Sequence, residues 1–172
     1  DWNRQYPNER RITWKGMPWI VRKEVFWAIG GYGALSEHRI SWGGGDMHIG
    51  IKPWLLGYEN WAVPCAPAIH IGPFPKAANS SHKYRLYGQS GEHPASFGFL
   101  VACYAIGGDA MLERNKEVVW NHKGFGWPRN GRERFEKYLG IAKKLGERER
   151  QWMAERQTIT FEELLKQQPW NK

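Results

Sequence analysis

The sequence predicts an α/β chain with a helical C-terminal region, and three observations carry that prediction. Short apolar runs of strand type, such as Met17-Pro18-Trp19-Ile20-Val21 and Ala68-Ile69-His70-Ile71, punctuate the first half. Between them lie stretches with apolar residues at helical spacing, each ended by glycine. From Arg132 onward the helical period is nearly continuous. Strands and helices that alternate early and give way to helices late define the class. Three regions follow: a basic aromatic arm over residues 1–15, a main portion over 16–128 with a long loop at 72–95, and a helical region over 129–172.

The arm mixes Arg4, Arg10, Arg11 and Lys15 with Trp2 and Trp14. After the first strand run, Arg22 to Ile29 reads as a helix with Val25, Phe26 and Ile29 at helical spacing, capped by Gly30-Gly31. A second helix opens at Asp46, turns Ile49, Trp54, Leu55 and Leu56 inward, and stops at Gly57. Pro53 removes a backbone donor inside it and pushes on the carbonyl of Ile49, which predicts a kink or a shortened helix. Asn60 to Val63 is a short strand candidate, whereas Pro64 to Pro67 cannot hold a central ladder. The loop at 72–95, with His82, Lys83, Arg85 and His93, has the length of a functional or mobile segment.

Phe97 to Ile106 reads as a buried apolar helix capped by Gly107-Gly108, after which Asp109 N-caps a short helix through Arg114. Arg132 to Leu145 places Phe135, Leu139, Ala142 and Leu145 on one side, with Gly146 as terminator. Glu147 to Arg156 is highly charged, and the charges from Arg132 to Arg156 alternate in sign and mostly describe a solvated helix face. Thr160-Phe161-Glu162-Glu163 is a capping box that opens a last helix through Gln168, closed by Pro169.

At 172 residues the chain can bury one real core. A net charge of +8 favours polyanionic partners: nucleic acid, a phosphorylated donor or an acidic membrane surface. The same charge also suits an ordinary soluble protein held off its isoelectric point. Eleven Trp, seven Tyr and seven Phe supply large burial and surfaces suited to stacking on sugars or bases. Cys65 and Cys103 make no disulfide framework, and no Cys-x-x-Cys zinc motif is present. No apolar run approaches the roughly 18–20 residues that span a bilayer. The polar start, Asp1-Trp2-Asn3-Arg4, is no signal peptide, and the missing initiator Met points to a fragment or a processed product.

The stretch Ser41-Trp42-Gly43-Gly44-Gly45-Asp46-Met47-His48 is the strongest site candidate. Three successive glycines contribute no packing and cost chain entropy, so folding alone rarely favours them. They permit a sharp turn or a close backbone approach to a ligand, and they present Asp46 at the mouth of a helix. By itself Asp46 also has the make-up of an N-cap. His48 lies two residues further on, off the face of Asp46. His70, between two isoleucines, reads equally as a histidine satisfied by backbone.

The order of these segments resembles the acceptor end of GT-A glycosyltransferases. Met17 to Tyr32 is similar to their strand, helix and Gly-Gly-aromatic turn. Trp42-Gly43-Gly44 followed by Asp46 resembles the Trp-Gly-Gly-acid motif of galactosyltransferases and polypeptide N-acetylgalactosaminyltransferases, and Trp54, Gly57, Pro64-Cys65 and His70 keep the family's order. The likeness covers residues 16–74. It implies the C-terminal half of a GT-A-like fold, with Asp46 as acid/base, Trp42, Gly43, Gly44 and Gly45 shaping the substrate pocket, and His70 as ligand of a divalent cation, Mn²⁺ or Mg²⁺. It also implies a nucleotide-sugar donor, a hydroxyl acceptor, and a nucleotide-binding half with its Asp-x-Asp supplied from outside this chain. The family commonly has Glu directly after Trp-Gly-Gly. Here that place is Gly45.

The chemistry suits these residue types. Sugar transfer needs a base for the acceptor proton, which a carboxylate supplies, and neutralisation of the leaving diphosphate, which a divalent cation supplies. The alternative is a non-catalytic basic, Trp-rich module for nucleic acid or glycan. A polyanionic acceptor such as nucleic acid would unite the two readings.

Overall fold

The computed structural model describes residues 19–40, 43–61, 97–121 and 131–167. Seven helices account for these segments: α1 (Lys23–Ala28), α2 (Gly33–Glu37), α3 (Gly45–Gly50), α4 (Lys52–Leu55), α5 (Phe97–Asn121), α6 (Gly131–Arg156) and α7 (Phe161–Lys166). Among the described residues there is no sheet; Trp61 is a single bridge residue. This corrects the expected α/β, GT-A-like class with its mixed strands. Residues 19–21, within the first expected strand, form no regular secondary structure, and Arg22 is the extended N-cap of α1. Apolar runs this short do not distinguish a strand from an irregular segment packed by its side chains. The strand expected at 68–71 and the loop at 72–95 lie outside the described residues.

The core forms around the first half of α5. Phe97, Leu100, Val101, Ala102, Cys103, Ala105 and Ile106 are all buried, and Phe99 and Tyr104 are partly so, which leaves this helix covered on most of its circumference. Around it pack Leu35 of α2, Met47 of α3, Leu55 of α4, Ala142 and Met153 of α6, and Phe161 and Leu164 of α7. The Cys103 thiol donates to Met47 Sδ at 3.7 Å, and burial pushes its pKa far up. The expected cap at Gly107-Gly108 is real: Gly108 takes φ 65° and ψ −154° and divides α5 into two helical pieces.

Gly146 behaves otherwise than expected. It does not end a helix, because α6 runs through it to Arg156. A Cβ at Gly146 would lie 3.1 Å from the Tyr104 ring and 3.2 Å from the Val101 carbonyl. The glycine is there for close approach of α5, a role that local sequence does not separate from helix termination. Pro53 shortens its helix as expected. It sits in the first turn of α4, after a break at Ile51, where its missing N–H leaves no bond unmade. The capping box at Thr160 forms in full: Thr160 Oγ1 accepts from Glu163 N at 3.2 Å, and Glu163 Oε2 accepts from Thr160 N at 2.7 Å. Among the described residues no helix is long and apolar enough to cross a membrane.

Candidate functional site

Gly43 and Gly44 both adopt left-handed backbone, with φ of 88° and 80°. Gly44 is the N-cap of α3 and contributes no side-chain cap. Asp46 is therefore not the cap that its composition invites. It lies exposed in the first turn, where a carboxylate is favoured by the helix dipole. Gly44 also meets a packing demand: a Cβ there would stand 2.5 Å from the Gly98 carbonyl and 2.6 Å from Ala102 Cβ of α5. Gly45 is different, since an added Cβ would meet only Tyr32, at 3.6 Å. At least one glycine of the motif is thus fixed by the core rather than by a ligand.

Beneath this turn lies a polar cluster that the sequence does not announce. Glu149 of α6 reaches under α3 and α4 and is buried with His48 and Lys52. Its Oε2 accepts from Ala34 N at 2.6 Å and from His48 Nε2 at 3.1 Å; its Oε1 accepts from Lys52 Nζ at 2.5 Å. Lys52 also donates to the Gly31 carbonyl at 3.2 Å and stands over the Trp152 ring. His48 Nδ1 lies 3.2 Å from the Gly44 carbonyl. One carboxylate therefore ties together the Gly30-Gly31-Tyr32 turn, the start of α2 and the glycine-rich turn.

The electrostatics follow from burial and pairing. Burial by itself raises the Glu149 carboxyl. The hydrogen bond and charge of His48, the charge of Lys52 and the Ala34 N–H outweigh it and hold the pKa at about 2. Burial lowers the Lys52 ammonium, and the charge and hydrogen bond of Glu149 oppose that shift. Gly33 makes room for the carboxylate: with φ of 45°, its Cα lies where a Cβ would run into Glu149. The far end of α3 is held by Asn60, whose amide donates to the carbonyls of Ile49 (3.2 Å) and Gly50 (2.7 Å).

Of the expected site residues, the structure describes Gly43, Gly44, Gly45 and Asp46; Trp42 and His70 lie outside the described residues. Among the described residues no group of three or more His, Cys, Asp or Glu is placed to hold a metal ion. Glu149 was hidden in a run of alternating charge that reads as solvated, and the only signal for Lys52 was its i+4 spacing from His48. A separate open cleft of about 270 Å³ lies beside Gly108, lined by Tyr104, Asp109, Arg150 and Thr160. Its Arg150 is committed to the Ile106 carbonyl at 2.9 Å.

Comparison with protein-family models, with curated proteins and with solved structures returns no match for this chain.

Proposed function

We infer that this chain is the acceptor-side portion of a metal-dependent glycosyltransferase, which transfers a sugar from a nucleotide-sugar to an acceptor hydroxyl. The observation that carries the reading is Asp46, an exposed carboxylate at the head of a helix whose other side is anchored by the His48–Glu149–Lys52 cluster. An acid presented on a braced helix has the placement that proton transfer requires. Asp46 takes the acceptor hydroxyl proton as its oxygen attacks the anomeric carbon, and the nucleoside diphosphate leaves. The reading gives His70 to a divalent cation, Mn²⁺ or Mg²⁺, which when bound neutralises the diphosphate. Trp42 and Gly43 to Gly45 shape the pocket, and nucleotide binding is supplied from outside residues 1–172.

The test is turnover by the enzyme joined to its nucleotide-binding half. Asp46→Asn is expected to lose at least about 100-fold in kcat, and His70→Ala to lose metal affinity. Unchanged turnover in Asp46→Asn removes the assignment of the base.

The net charge of +8 and the exposed Trp27 and Trp61 favour a second reading, a non-catalytic basic module that binds nucleic acid or glycan. That module would bind a single-stranded oligonucleotide with an affinity that falls steeply with salt.

A further inference from the structure

Three aromatic rings meet where α1 turns into α2. Phe26 packs edge-on against Trp27, with centroids 5.2 Å apart, and against Tyr32, 5.7 Å apart, both at 72°. The Phe26 ring lies over the turn because residue 31 is glycine; a Cβ there would stand 3.1 Å from the ring. Its two neighbours face water, Trp27 at 66% exposure and Tyr32 at 41%. No residue of α1 is buried. Tyr32 connects this group to the glycine-rich turn, with its ring 6.4 Å from His48 and its Cε1 beside Gly45. Next to Tyr32 the chain therefore offers only a bare Cα, followed in sequence by the exposed Asp46.

We propose that Trp27 and Tyr32, held by Phe26, form a carbohydrate subsite that seats a sugar ring of the acceptor beside Asp46. A pyranose presents a face of C–H groups and a rim of hydroxyls. The face covers aromatic surface that otherwise stays in water, and the rim donates hydrogen bonds to a carboxylate. The edge contacts with Phe26 restrict both rings, which reduces the side-chain freedom to be lost on binding. The charged group that follows Gly45 is an acid, which repels phosphate, so an uncharged sugar suits this strip better than a nucleic-acid strand. The term "acceptor" rests on the role assigned to Asp46 above; the ring platform does not.

The test is saturation-transfer NMR on the whole chain with glucose, galactose, N-acetylglucosamine and their β-linked disaccharides. The chain is expected to bind at least one of them. Trp27→Ala and Tyr32→Ala should each weaken binding by about fivefold or more, and Tyr32→Phe should retain it. Trp27 is exposed enough that its removal leaves the fold intact, which circular dichroism checks. Gly45→Gln, at a position without left-handed backbone, should obstruct the strip and weaken binding too. Absence of transfer to every sugar overturns the proposal, as do folded alanine variants that bind like the parent. Displacement of the sugar by an oligonucleotide in a salt-sensitive manner overturns it in favour of nucleic acid. If sugar binding depends on the rings while Asp46→Asn leaves turnover unchanged, the subsite stands and the acid/base reading falls. Asp46-dependent turnover without ring-dependent binding has the opposite meaning.

Discussion

Lys52 Nζ stands 2.5 Å from Glu149 Oε1, and both side chains are almost wholly out of water. A buried pair of this kind contributes little net stability compared with a well-packed apolar pair, but breaking one side of it is costly because the remaining charge has no solvent. The same carboxylate holds His48 and Ala34 N, so its loss frees three donors at once.

Glu149→Ala is therefore expected to destabilise the fold by about 3–5 kcal/mol, as read from denaturant midpoints at neutral pH. Adding Lys52→Met to Glu149→Leu should restore the part of that loss that comes from the unpaired ammonium, while His48 Nε2 and Ala34 N stay without their acceptor. If the double variant is as unstable as Glu149→Leu alone, the cost lies in packing and in the freed Ala34 and His48 donors rather than in the unpaired ammonium.

Acid should weaken the protein in a defined window. The Glu149 carboxyl titrates at about 2 in the fold, against 4.5 for the free group. The folded pKa is depressed, so its stabilisation is complete above 4.5 and is lost as pH falls toward 2. The shift corresponds to about 3 kcal/mol. Lys52 acts at the other end: its pKa is lowered, the unfolded chain keeps that proton longer, and stability gains as pH rises toward 10.5. Thermal melts from pH 7 to pH 2 should show the acid loss in the parent, and Glu149→Gln should flatten it.

The glycines of the two turns should separate cleanly on substitution. Gly33→Ala is expected to be severe, since its Cβ meets the Glu149 carboxylate and its backbone is left-handed. Gly44→Ala should be comparably harmful through the Gly98 carbonyl. Gly45→Ala should be neutral or stabilising by up to about 1 kcal/mol, because the position is helical and open. Melting temperatures of the three variants decide this.

The reciprocal cap at Thr160 makes a smaller, local statement. Thr160→Ala is expected to cost about 1 kcal/mol and to raise amide exchange at Glu163, whose N–H the hydroxyl receives.

Local signals in the sequence located several of the breaks among the described residues. The helix before Gly30, the interruption at Pro53, the stop at Gly57, the break at Gly108 and the box at Thr160 all follow from the chemistry of single residues. The class did not follow, because Met17 to Val21 has strand composition but its described residues pair with no neighbouring strand. Gly146 was equally ambiguous: terminator and close-packing glycine are the same residue until a neighbouring helix is known. Half of the candidate site was legible for a similar reason. Gly43 to Asp46 are contiguous and carry a local signature. Glu149 is charged among charges, and only the tertiary fold turns it inward.

The distance along the chain between Lys52 and Glu149, 97 residues, has a consequence for the timing of folding. During synthesis the segment around the glycine-rich turn emerges first, with a lysine and a histidine that have no anion to receive them. Its contacts with Glu149 close only after α6 has left the ribosome and docked, so this segment stays unfinished until then.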